Sequence, residues 1–315
     1  MDQVSRSRAG VIHNVAETDE DVLDEIRRYL AFFPPSAWSY PQMTEPDEYS
    51  EPRETPELLD IVSRDGRRTY DMRTVIDIVF DTRDWFEVQP KYGEAIICAL
   101  AHLGGHPVAV VANQPQVLAG SIDAAAADKA AHFIAVADAF HLPLVFLTDN
   151  PPGMLPGSES EHDGVLRSGA RMFVAQTTAT TLKLHVTLRK AYGFGSMVMS
   201  LIGFDGQAAT YAYPGGDDGG DECGRTEQRL QRRRRPRHDV AGDGTRSVLP
   251  LGRTHGIRRA DPPPRGNPQR AAAVTAARHL RAAGCRGTGH PHRDRPPLTP
   301  PSTRPARETK EGTPP

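Results

Sequence analysis

The last 100 residues contain no aromatic residue: all 20 Phe, Trp and Tyr side chains lie before Gly216. The same stretch holds one isoleucine, Ile257, and one lysine, Lys310, beside 20 arginines and 14 prolines. A segment with so little apolar surface cannot offset the entropy of ordering it, so disorder is predicted over 216–315. Its one candidate for local structure is a helix over 271–283, AAAVTAARHLRAA. Cysteine is also scarce. Cys98, Cys223 and Cys285 are widely spaced and odd in number, which excludes a disulfide framework and a CxxC metal pair. A reducing, cytoplasmic setting is the default expectation. No run approaches the roughly 18–20 apolar residues of a membrane span, and MDQVSRSRAG lacks the apolar core of a signal peptide. His102, His106, His132, His141, His162 and His185 show no ligand spacing and read as surface or satisfied core residues.

The chain has 315 residues and a formal net charge of -2, a length that suits about two domains at roughly 100–200 residues each. The charge is a cancellation. Up to Gly215 there are 17 Lys+Arg against 29 Asp+Glu, a balance of -12; from Gly216 there are 21 against 11, a balance of +10.

The apolar pattern predicts alternating elements. Thr18 is placed to cap a helix, with Asp21 in a capping-box position; Val22, Ile26, Leu30 and Phe33 follow at helical spacing until Pro34-Pro35 stops it. Residues 36–56, rich in Pro, Ser and Glu, read as a linker. A second helix is predicted over about Met72–Val79. Ala95–Leu100 and Pro107–Asn113 read as a hairpin about Gly104-Gly105. An alanine-rich helix over 122–140 precedes Leu142–Thr148, an apolar run expected of a strand buried on both faces. A Pro/Gly loop over 149–157 and a helix over about 163–177 come next. A strand Lys183–Leu188, a glycine turn and a helix from about Gly195 complete the series. Strand and helix in alternation imply crossovers and a largely parallel α/β sheet.

Three segments carry candidate chemistry. Arg189–Ser196 runs from a buried strand through a glycine turn into a helix, which presents backbone N–H groups at a positive helix end, where an oxyanion is held. Glycine there equally serves a turn with φ > 0. The loop Asp149–Gly157 follows the end of a buried strand, where α/β proteins bind ligands; it forms a pocket wall or a plain surface loop. Asn113–Gly120 also follows a strand, and Asn113 and Gln114 either bind a ligand or satisfy turn amides.

Taken in order, these segments resemble the carboxyltransferase β subunits of biotin-dependent acyl-CoA carboxylases, of the propionyl-CoA and methylcrotonyl-CoA carboxylase type. The resemblance is carried by Pro56–Val62, by Gly105–Pro115 (GHPVAVVANQP), by Ala127–Ala131 (ADKAA) and by Leu188–Gly193 (LRKAYG). It runs from about residue 9 to 215. Residues 1–35 resemble the end of the family's N-terminal domain and 57–215 the first part of its C-terminal domain. Both are crotonase-like folds of repeated ββα units.

The resemblance implies a reaction and its parts. A carboxyl group moves from carboxybiotin, carried on a partner biotin carboxylase/biotin carrier subunit, to the α-carbon of an acyl-CoA. Two oxyanions need stabilising, the thioester enolate and the biotin urea oxygen. The first belongs to backbone amides of the N-terminal domain, the second to the glycine turn, which maps here to the backbone of Phe194 and Gly195. Asn113, Gln114, Gly153, Tyr192 and Gly193 are the implied substrate-binding residues. The freed biotin nitrogen takes the α-proton, so neither a side-chain base nor a metal is implied. Intact family members form homo-oligomers, pairing the N-terminal domain of one subunit with the C-terminal domain of another.

The sequence departs from the family at four places. Its turn reads Gly193-Phe194-Gly195 where Gly-Gly-Ala or Gly-Leu-Gly is usual, and the loop at Pro151-Pro152 is one proline longer. Most of the N-terminal domain is expected to be absent. After Gly215 the family continues Ala-Thr-Met-Gly-Ala-Met, whereas this chain reads Gly216-Asp217-Asp218-Gly219-Gly220-Asp221-Glu222-Cys223. One codon choice from Gly215, GGC GGC GAC GAT GGG GGC GAT GAG TGC, gives Ala-Ala-Thr-Met-Gly-Ala-Met-Ser when read one base later. The expectation is therefore a truncated, inactive fragment with an off-frame tail. Two other readings stand beside it. One is a non-catalytic partner of intact carboxylase subunits. The other is nucleic-acid binding through the arginines of the tail, against which count its lack of aromatics for base stacking and of any recognisable module.

Overall fold

Thr18 closes the first helix as the capping pattern requires. Its Oγ1 accepts from Asp21 N at 3.1 Å, and Asp21 Oδ2 accepts from Thr18 N at 3.3 Å. The helix, α1 (Asp19–Ala31), buries none of its residues. Val22, Leu23, Ile26 and Leu30 remain between 43% and 58% exposed, so the apolar stripe read from the sequence is only about half covered. Its last turn packs through Tyr29 against the Phe86 ring, and Phe33 just beyond it packs against Phe140. The computed structural model describes residues 9–45, 54–63, 65, 68–81, 85–151, 153–201, 206–214, 216, 275 and 286–287.

Two short helices follow, α2 (Leu58–Ile61) and α3 (Met72–Val79), the latter with the bounds its pattern predicts. Asp71 caps α3 by accepting from Arg73 N at 2.9 Å. The sheet then begins with β1 (Phe86–Val88), β2 (Ile96–Leu103) and β3 (His106–Asn113). Between β2 and β3, Gly104 and Gly105 take φ of 60° and 76°, and the Asp81 carboxylate accepts from both their N–H groups at 2.7 and 2.6 Å. Part of the expected linker crosses this hairpin, where Thr44 N donates to Gly105 O at 2.9 Å.

From β3 the connections become crossovers. Helix α4 (Ala124–Ala139) leads to β4 (Leu144–Asn150); α5 (Ser158–His162) and α6 (Val165–Thr178) lead to β5 (Lys183–Ala191). Helix α7 (Gly193–Val198) leads to β6 (Gln207–Ala212). The pairs β3–β4, β4–β5 and β5–β6 are parallel, while β1–β2 and β2–β3 are antiparallel.

The sheet is apolar on both faces, which explains its nearly unbroken hydrophobic strands. Along β2, Ile97, Ala99 and Ala101 join the core under α3, with Val145 and Leu147 of β4. The alternate residues Ile96, Cys98 and Leu100 join the core under α4 and α6, with Phe146. Burial there pushes the Cys98 thiol up to about 12, so it stays protonated. His185 of β5 lies on this face and is fully buried. Its Nδ1 is 2.8 Å from Met199 O, which only accepts, so Nδ1 carries the proton and Nε2 accepts from Thr187 Oγ1 at 3.0 Å. That makes His185 a satisfied core histidine.

The pattern did not reveal β1, α2, α5 or β6, all short or weakly periodic. The tail shows one described exception to the expected lack of order. Arg286–Gly287 forms a short strand β7, pairing antiparallel with Tyr211 and Ala212. An edge strand offers unpaired N–H and C=O groups to any chain that reaches it, which is a backbone property that composition does not report. Thr275, inside the predicted local helix, is helical; most of the tail, like Pro152, lies outside the described residues.

Candidate active site

Strands β3, β4 and β5 run parallel, so their carboxyl ends open at one end of the sheet, where crossover loops leave a crevice for ligands. All three candidate segments meet there. Asn113 ends β3, Asn150 ends β4, and Ala191 ends β5, paired with Asn150.

The loops are joined largely through backbone. Ile122 N donates to Gly153 O at 3.0 Å, and Leu155 N to Ile122 O at 2.8 Å. A Cβ on Gly120, whose φ is +83°, would collide with the Asp149 carbonyl. A Cβ on Gly195 would meet the Asn150 side-chain nitrogen and lie 2.5 Å from Gly153 Cα. Glycine at 120 and 195 thus lets main chain touch main chain.

The glycine turn is the entry to α7. Of the first four N–H groups of a helix, none has an intrahelical acceptor. Here that of Tyr192 donates to Asn150 O at 3.3 Å, and the next with a backbone acceptor is Ser196, to Tyr192 O at 3.3 Å. Those of Gly193, Phe194 and Gly195 lie between. Gly193 is exposed, with φ +60°, and a Cβ there would meet nothing within 4 Å. The Phe194 ring lies against α6, 5.7 Å from the Phe173 ring.

Asn113 and Gln114 are committed within the fold. Asn113 is buried; its Oδ1 accepts from Asp149 N at 3.3 Å and its Nδ2 donates to Gly120 O at 3.4 Å. Gln114 Oε1 accepts from Met72 N at 3.2 Å, and its Nε2 donates to Asp71 Oδ1 at 2.6 Å. Both side chains tie turn amides and strand ends together.

Asp149 and Arg189 at these strand ends meet Tyr70, which precedes α3, in a polar cluster for which the sequence implies no individual role. Between Thr148–Thr187 and Asn150–Ala191 the register of β4 and β5 shifts. Such an irregularity re-aims side chains. Near it Arg189 lies with Nη2 2.9 Å from Asp149 Oδ2, while its Nη1 donates to Arg68 O at 2.7 Å and Asp65 O at 3.1 Å. The Asp149 carboxylate is close enough for an ion pair but has no aligned hydrogen bond among the described residues. Tyr70 lies under the Arg189 guanidinium, 5.3 Å from ring centroid to Cζ, and burial, with Asp149 beside it, raises its phenol well above the usual 10. Asp149 and Asn150 were legible as polar residues ending an apolar strand; nothing near Tyr70 in the sequence marks it.

An apolar cavity lies elsewhere among the described residues. About 250 Å³ opens beside α1, lined by Val22, Ile26, Leu30, Phe86 and Val88 among others, on the β1 edge of the sheet. The strand-end crevice, where the N–H groups of Gly193, Phe194 and Gly195 have no backbone acceptor among the described residues, is the better candidate for chemistry.

The β-β-α progression into parallel strands is the architecture of a crotonase-like carboxyltransferase. Residues 3–214 match the carboxyl transferase domain family, and the chain belongs to it. It is 40% identical over 206 residues to the methylmalonyl-CoA carboxyltransferase 12S subunit of Propionibacterium freudenreichii, covering 65% of this chain and 38% of that protein. Over 193 residues it is 40% identical to the biotin-dependent long chain acyl-coenzyme A carboxylase beta4 subunit of Mycobacterium tuberculosis, covering 60% and 36%. The crystal structure of the transcarboxylase 12S hexamer, with hydrolysed methylmalonyl-coenzyme A bound, superposes with a TM-score of 0.63 at 38% identity, covering 67% of this chain and 42% of that one. The chain therefore spans about two fifths of the length of these relatives. The match ends at residue 214, where the apolar and aromatic pattern of the sequence also ends.

Proposed function

We propose that this chain is the biotin-receiving part of a carboxyltransferase subunit of a biotin-dependent acyl-CoA carboxylase. The observation that carries this reading is the turn 192–195, whose N–H groups at Phe194 and Gly195 have no backbone acceptor among the described residues and whose open side is at Gly193. A cyclic urea suits the turn, since its oxygen accepts from neighbouring N–H groups and Gly193 puts no side chain in the way. Carboxybiotin, borne by a partner subunit, supplies the carboxyl group. The residues of this chain hold the urea oxygen as negative charge grows on it, and Gly153, Tyr192 and Gly193 shape the approach. Preorganised donors of this kind lower the barrier because they need no reorientation as the charge develops.

Asn113 and Gln114 contribute by fixing the strand ends rather than by touching the ligand. On this reading the thioester is received by an N-terminal carboxyltransferase domain of the kind the resemblance implies, and transfer requires both domains together. The reading is tested by saturation-transfer NMR with biocytin. Transfer to the ureido ring is expected, with its loss in Gly195→Val; no transfer at millimolar biocytin, or transfer unchanged in the variant, contradicts it.

The tail is read as the product of a one-base change of frame after Gly215. Its support is the coincidence of three boundaries, namely the end of the family match at 214, the last aromatic at Tyr213 and the change of charge at Gly216. Sequencing the gene around the Gly215 codon is expected to show a shifted frame encoding Ala-Thr-Met-Gly-Ala-Met. A gene whose shifted frame encodes nothing of that kind overturns it.

A further inference from the structure

Asn150 lies where the β4 loop touches the β5 turn, and its side chain is fully buried. Its Oδ1 accepts from Gly153 N at 2.7 Å. That bond settles the orientation of the amide, since an N–H can donate only to the oxygen. The side-chain nitrogen is thereby turned toward Gly195, in the space where a side chain at 195 would begin. It has no hydrogen-bond partner among the described residues. The backbone of Asn150 meets the same turn, its carbonyl accepting from Tyr192 N at 3.3 Å. One residue thus contacts the loop through an acceptor, the turn through its carbonyl, and the floor beneath Gly195 through an uncommitted donor.

A buried donor without an acceptor is left desolvated at a cost in free energy, so its retention calls for a reason. The floor of the turn is where a donor has an electrostatic use. The amide dipole, with its positive end under Gly195, favours negative charge above the turn. We propose that Asn150 is the positioning residue of the glycine turn, holding the β4 loop against it and setting the N–H groups of Phe194 and Gly195 toward a urea oxygen. The proposal rests on the carboxybiotin reading for the identity of the ligand.

The experiment follows backbone amides of the ¹⁵N-labelled 315-residue chain, with biotin methyl ester as the probe. In N150A, exchange at Gly153 N is expected to rise about tenfold, the scale of one lost hydrogen bond. The ligand-induced shifts at Phe194 and Gly195 are expected to fall at least threefold. N150D is the near-isosteric control. It keeps the acceptor for Gly153, so exchange there stays within about twofold, but it replaces the donor under Gly195 with an oxygen and again weakens the ligand shifts. Ligand shifts unchanged in both variants overturn the proposal, even if Gly153 exchange rises, because Asn150 would then hold only its own loop. Absence of ligand shifts in the unaltered chain contradicts the carboxybiotin reading instead. The positioning role is then decided by the amide positions of Phe194 and Gly195 without ligand, which are expected to move in N150A, and unchanged positions overturn it.

Discussion

Arg189 Nη2 stands 2.9 Å from Asp149 Oδ2, and both side chains are almost wholly withdrawn from solvent, at 7% and 0% exposure. The pair spans β4 and β5, and the other terminal nitrogen of Arg189 donates to the carbonyls of Asp65 and Arg68. Removing one charge from a buried pair strands the other, which typically costs about 3–5 kcal/mol. Arg189→Met is therefore expected to lower the urea midpoint by that equivalent, and adding Asp149→Leu to recover much of the loss. A double variant no more stable than Arg189→Met would show that the charge pairing is not what the single substitution disrupts.

The two glycines of the turn answer to different constraints. At Gly195 the obstacle is steric, since a methyl would press on Asn150 and on Gly153 Cα at 2.5 Å. Overpacking of this kind costs about 1–3 kcal/mol. At Gly193 the space is open and the constraint is φ of +60°, worth about 1–2 kcal/mol for a residue with a Cβ. Gly195→Ala is expected to change the amide spectrum of residues 150–155 as well as 192–196, and Gly193→Ala to change that of 192–196 alone. Both are measured by thermal unfolding and by mapped chemical shifts. The same local pattern in both variants would contradict the packing described for Gly195.

His185 gives the fold a pH signature. Burial lowers its imidazole from 6.5 to about 4. As pH falls below about 6.5 the unfolded chain takes up a proton that the folded chain refuses, so stability declines until about pH 4 and the contribution then levels off. At 1.36 kcal/mol per unit the full effect is about 3 kcal/mol. Urea titrations from pH 7.5 to 4.5 are expected to lose stability more steeply for the unaltered chain than for His185→Gln. Parallel slopes would mean that His185 takes up its proton in the folded state.

Much of this fold follows from periodicity that the sequence displays openly. The β2–β3 hairpin, α3, α4 and the strand cores stand where the apolar pattern puts them, because burial on both faces leaves little choice of residue. Thr18 and Asp21 announced the start of their helix through the capping pattern. The burial of α1 did not follow, since an apolar stripe states what a helix needs and not what is nearby to cover it. At the site, the glycine turn and the Asp149–Gly157 loop were visible as segments. The joining of Asn150 to Gly153 and Gly195, and of Arg189 to Asp149 and Tyr70, depends on the shifted register of β4 and β5, which no local pattern encodes. Asn113 and Gln114 show the converse. Their residue types allowed ligand binding or turn satisfaction equally, and only the positions of Asp149, Gly120, Met72 and Asp71 show what their side chains hold.

The central claim is that the chain carries the biotin side of a transfer site whose thioester side lies elsewhere. Transfer of ¹⁴C-carboxyl from a carboxylated biotin carrier to acetyl-, propionyl- or methylcrotonyl-CoA tests it most directly. Loss of a single oxyanion donor costs about 10²–10³ in rate, and here a whole oxyanion site would be wanting. The purified 315-residue chain is predicted to give no labelled acyl-CoA above background. The same residues 1–215, continued in the restored frame and joined to a relative's N-terminal domain, are predicted to give labelled product that is lost on Gly195→Val. Labelled malonyl- or methylmalonyl-CoA formed by the 315-residue chain alone would contradict the account, as would a restored protein whose activity is indifferent to Gly195.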